Sequence, residues 1–84
     1  MHEGAVCREI VDIVSQSAAD NDITRVYEIV VAVGEYSCVN EHQLNFYFDV
    51  MKKDTCMEKA VIRLEKDISL TGPSQMYIRT YRGD

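Results

Sequence analysis

The chain has 84 residues and a mass of 9.6 kDa, the size of one small domain. Hydrophobic residues at 46 % and charged residues at 27 % exclude global disorder and fibrous repeats. A net charge of -5, from 14 Asp and Glu against 9 Lys and Arg, has the wrong sign for a protein that grips a phosphate backbone.

In chain order, Val6, Ile10, Ile13, Val14 and Ser17 or Ala18 recur at helical spacing with Glu9, Asp12, Ser15 and Gln16 opposite. This predicts an amphipathic helix that starts within the first few residues and stops near Asp20, Asn21 and Asp22. The β-branched stretch Thr24 to Val33 reads as a central strand, with Ile29 to Val33 shielded on both faces, and Gly34 ends it. Asn40 with Gln43 has the form of a capping box. It opens a second helix from about Glu41 to Lys53, with Leu44, Tyr47, Phe48 and Met51 as its apolar stripe. Ala60, Ile62 and Leu64 then alternate with Val61, Arg63 and Glu65. After a turn at 71–74, Met76, Ile78 and Thr80 alternate with Tyr77, Arg79 and Tyr81. The expected fold is α+β: a single domain over residues 1–84, with a three-stranded mixed sheet covered on one face by two helices. The order is helix, strand, helix, strand, strand, and the strand-helix-strand portion is expected to cross over right-handed.

Charge is uneven along the chain. Met1 to Asp49 holds nine acids with only Arg8 and Arg25 as bases, whereas the remainder holds seven bases and five acids. Cys7, Cys38 and Cys56 are odd in number and lack CxxC spacing, which points to a reducing cytoplasm without disulfides and offers no complete zinc site. No apolar run approaches the ~20 residues of a membrane span, and no secretory signal opens the chain. A soluble cytoplasmic protein is expected.

Met1-His2-Glu3 is the tripeptide with the most chemistry. An α-amino group, an imidazole and the first backbone amides lie within reach of one metal ion. A plane of nitrogens of this kind suits Ni(II) or Cu(II), whereas Mg and Ca prefer oxygen. The first amides of a helix have no intrahelical acceptor, so a metal can take them without breaking a ladder bond. The positive end of the helix dipole opposes a cation, and amide deprotonation offsets that opposition. Methionine before a bulky His is not normally trimmed, so His2 is expected to stay second. Among other candidates, Cys7 falls near the apolar stripe of the first helix, as an inert small hydrophobe does. Cys38 with His42 has the elements of a nucleophile and base but no evident orienting acid or amide. Tyr77 and Tyr81 with Arg79 and Arg82 predict a basic, aromatic edge on the last strand, suited to a partner strand or an acidic surface, or simply an edge guarded by charge.

Taken together, Met1-His2-Glu3, the run Val31-Ala32-Val33-Gly34-Glu35-Tyr36-Ser37-Cys38-Val39, the Leu44 to Asp49 helix and the Ala60 to Glu65 strand resemble the HypA/HybF family of hydrogenase-maturation nickel metallochaperones. The resemblance runs over roughly residues 1–66 and, more loosely, 75–81. It implies a non-enzymatic accessory protein that binds Ni(II) through the His2 imidazole and the backbone nitrogens of His2 and Glu3, with the Met1 amine as a further donor. It implies delivery of nickel to the hydrogenase large subunit or a related nickel enzyme such as urease, in concert with the maturation GTPase HypB. Family members carry a zinc-binding segment with two CxxC motifs between the last two strands, where this chain has only residues 67–74. Structural zinc is therefore not expected. A metal-independent interaction module of the same fold, which only binds a maturation partner or self-associates as a homodimer through the Gln75 to Tyr81 strand, is the alternative.

Overall fold

The computed structural model describes residues 2–84 and places five elements in chain order: α1 (Glu3–Asp20), β1 (Val26–Val33), α2 (Glu41–Met51), β2 (Val61–Lys66) and β3 (Met76–Gly83). The sheet order is β2-β1-β3, with β1 parallel to β2 and antiparallel to β3. The expected mixed sheet and element order are therefore observed. The continuous apolar run of β1 makes it the central strand, because it alone has a neighbour on each side.

Helix α1 buries Cys7, Ile10, Val11, Val14 and Ala18, and ends where Asp22 takes a left-handed conformation (φ 57°) that a short polar side chain tolerates. Asn21 Nδ2 donates to the Ser17 carbonyl at 2.8 Å and satisfies one of the last helical acceptors. Helix α2 starts as its capping residues dictate, with Asn40 Oδ1 accepting the Gln43 amide at 3.0 Å, and buries Leu44 and Phe48. The two helices meet through Cys7, whose thiol donates to the Leu44 carbonyl at 3.3 Å. Together they cover one face of the sheet, against Ile29, Val31, Val33 and Ile62.

The other face carries no helix. There Val30 lies between Arg63 and Thr80 in the strand register, and Ala32 between Glu65 and Tyr77. Both are nonetheless buried, as the unbroken apolar run implies. Long charged side chains shield them: Arg63 pairs with Glu28 at 2.6 Å, and Arg79 reaches from β3 over β1 to Glu65 on β2 at 3.3 Å.

The strict alternation expected along β3 fails at one point. A register shift opposite Val30 and Val31 leaves Arg79 as an extra residue, so Thr80 turns to solvent and Tyr81 turns inward, packing against the core. The Tyr81 hydroxyl lies 2.7 Å from Ser17 Oγ on α1. The expected basic, aromatic edge is thereby dispersed: Tyr77 and Arg79 stand on the open face, while Tyr81 belongs to the helix side.

Candidate metal centre

The first turn of α1 forms the candidate site. His2 is its N-cap in an extended conformation (φ -102°, ψ 109°), and its imidazole is exposed and makes no capping hydrogen bond. The helical ladder begins with the Val6 amide donating to the His2 carbonyl at 3.1 Å. The amides of His2, Glu3, Gly4 and Ala5 therefore precede the first intrahelical bond and have no acceptor within the helix. Two of them are the backbone nitrogens singled out in the sequence. Met1, the remaining predicted donor, lies outside the described residues.

Glu3 is half-buried at the mouth of a depression whose other walls are Cys38 and Val39, from the β1–α2 loop, and Pro73 and Ser74, from the β2–β3 loop. These loops are locked together at Gly34, where a Cβ would fall 2.6 Å from the Leu70 carbonyl oxygen. Only glycine permits that approach. The short β2–β3 loop is itself closed by Asp67, which accepts the Ser69 amide at 3.0 Å and hydroxyl at 2.6 Å and the Tyr77 hydroxyl. Those hydrogen bonds, led by the Ser69 and Tyr77 hydroxyls, hold the Asp67 carboxyl down at about 2. The juxtaposition of Pro73 and Ser74 with Glu3 has no local signal in the sequence. The Gly34 position does, since a glycine closing a strand marks a possible close backbone approach.

The three thiols are scattered. Cys7 is fully buried, and burial, aided by the Glu3 carboxylate, pushes its thiol up to about 11. Cys38 is exposed beside Glu3, and Cys56 is half-buried near Thr24 to Tyr27, alongside a different cleft. Among the described residues, no group of three or more His, Cys, Asp or Glu side chains is placed to hold a metal ion. His42 is exposed on the first turn of α2, and the described residues give it no orienting partner.

A family model described as hydrogenase/urease nickel incorporation, metallochaperone, HypA matches residues 1–71. The hydrogenase maturation factor HypA of Actinobacillus succinogenes is 39 % identical over 62 residues, 74 % of this chain and 55 % of the relative. The factor of the same name from Legionella pneumophila strain Lens is 36 % identical over 64 residues, 76 % of this chain and 57 % of the relative. The chain thus spans about half the length of the curated relatives it matches. The solution structure of the Ni metallochaperone HypA from Helicobacter pylori superposes with a TM-score of 0.79, covering 99 % of this chain and 97 % of that one at 14 % identity. At that identity the likeness is one of fold, and it extends through β3, beyond the reach of the family model. By the residues it shares from Met1 to Thr71, this chain belongs to the HypA family.

Proposed function

We propose that this chain is a nickel carrier that binds Ni(II) at its N-terminus and surrenders it during maturation of a [NiFe]-hydrogenase, a urease or a related nickel enzyme. The donors are the His2 imidazole, the backbone nitrogens of His2 and Glu3, and the Met1 amine. The observation that carries this reading is the exposed His2 imidazole standing directly beside amides that have no intrahelical acceptor. Deprotonated amides are strong-field anionic donors, and four nitrogens in a plane meet the tetragonal preference of Ni(II). They also provide a release mechanism. Protons returned to the two amide nitrogens would break their bonds to the metal, and the exposed His2 imidazole is within reach of a partner's ligands. Binding is therefore coupled to proton release and tightens as pH rises.

The proposed setting is the cytoplasm, with the GTPase HypB and the hydrogenase large subunit as partners and with no resident zinc. The role is delivery, without catalysis. Nickel titration followed by absorption tests the reading. His2→Ala is expected to weaken Ni(II) binding by at least about a hundredfold, the loss that follows removal of one metal ligand of several kcal/mol. Undiminished binding by His2→Ala would exclude the site, whereas the absence of specific Ni(II) binding by the parent protein, with a partner retained by His2→Ala in a pull-down, would assign the fold to the metal-independent interaction module.

A further inference from the structure

The two edges of the sheet are treated differently. On β2, Asn45 of α2 donates to the Ile62 carbonyl at 2.8 Å and accepts the Ile62 amide at 2.9 Å, and Glu41 accepts the Leu64 amide at 2.7 Å. Side chains of α2 thus occupy that edge in place of a neighbouring strand. On β3, no side chain among the described residues bonds the backbone, no proline interrupts the strand, and nothing pairs with its outer side. An edge left open in this way is a template for an added strand.

A groove runs beside that edge, between β3 and α1. Its apolar lining is Val6, Ile10 and Ile13 from α1 with Met76 and Ile78 from β3, and it continues past Ser17 to Tyr81. The helical rise from Val6 to Ser17 and the strand rise from Met76 to Tyr81 both come to about 16 Å, room for an extended segment of about five or six residues. Ile13 is 50 % exposed there. The outer wall is acidic: Glu9, Asp12 and Asp20 on α1 are exposed, with no ion pair among the described residues, and Arg8 is the only base of the helix. Arg79 lines the Tyr81 end of the groove, and its guanidinium is engaged by Glu65 and Asp67.

We propose that this edge docks a basic, extended segment of a partner protein as a fourth strand beside β3. Alternate apolar residues of the segment fill the groove, and its Lys or Arg residues face Glu9 and Asp12. A second copy of this chain is a poor occupant. Antiparallel pairing of two β3 edges about a two-fold axis lays both α1 helices on one face of the joined sheet, acidic wall against acidic wall. An acidic partner meets the same repulsion.

The test uses three fluorescein-labelled peptides with the whole protein: one alternating Lys and Val, one with Glu replacing Lys, and one with a central Pro in the first. Anisotropy is expected to show binding of the Lys-Val peptide alone, weakening as salt rises. Amide shifts are expected along 76–81 and around Ile13. Ile13→Lys and the double variant Glu9→Lys/Asp12→Lys change exposed positions, so melting curves are expected to stay near the parent's, while affinity falls by about tenfold or more. The proposal is overturned if the Lys-Val peptide fails to bind, if the Glu or Pro peptide binds equally well, or if Ile13→Lys leaves affinity unchanged. Concentration-dependent dimerisation that Ile13→Lys abolishes would assign the groove to a second copy and also overturn it.

Discussion

At the scale of single residues, position and chemistry separate groups that composition alone treats alike. Cys7 and Cys38 are both free thiols, but only Cys38 meets solvent. With its thiol raised to about 11, Cys7 holds a negligible thiolate fraction near neutrality. Iodoacetamide followed by mass spectrometry is therefore expected to label Cys38 first and Cys7 only on unfolding, and fast labelling of Cys7 would contradict its burial. The inertness of Cys7 was legible in the sequence, because it sits on the helical stripe. That Cys38 shares a depression with Glu3 was not, because 35 residues separate them and no local pattern encodes a loop closing over a helix start. Gly34 lies between these cases. Gly34→Ala sets a Cβ against the Leu70 carbonyl, so the β2–β3 loop has to shift, and a loss of about 1–3 kcal/mol in denaturant unfolding is expected.

At the scale of elements, the helices were legible because their spacing and caps agree. Asn40→Ala is expected to cost about 1 kcal/mol by removing the acceptor of the Gln43 amide. Phe48, wholly buried between α2 and the sheet, is expected to cost about 3–5 kcal/mol as Phe48→Ala, read from the urea midpoint. Asn45 carries more than its exposed-helix appearance suggests. Asn45→Ala leaves both Ile62 backbone groups without their partners on the β2 edge, and a loss of about 1–3 kcal/mol is expected. The last strand was legible as a strand but not in its facing. Alternation fixes sides only while the ladder is unbroken, and the bulge at Arg79 reverses every residue after it. A bulge leaves no mark in a stretch such as Ile78-Arg79-Thr80-Tyr81, where either parity offers one apolar and one polar choice. The consequence is substantial: Tyr81 joins the core and Ser17, and the aromatic and basic side chains of β3 are divided between the helix side and the open face.

At the scale of the whole molecule, three segments distant in sequence meet at one end: the start of α1, the loop after Gly34 and the loop from Asp67 to Gln75. The last of these is short and internally hydrogen-bonded through Asp67. Because Asp67 has its folded pKa lowered from 3.8 to about 2, its contribution is present above about pH 4 and is lost as pH falls toward 2. Asp67→Asn is expected to flatten that stretch of the stability curve, measured by thermal melts between those pH values. An unchanged acid limb would remove Asp67 as the clasp of the loop. The central claim concerns the first of these segments, where the exposed imidazole and the acceptor-free amides of α1 stand together. It is tested most directly by isothermal titration of Ni(II) into protein with its native N-terminus and into protein carrying a few extra residues before Met1. The account predicts one tight, proton-releasing site in the first and its loss in the second, with α1 intact by circular dichroism. Equal affinity and equal proton release in the two would contradict it.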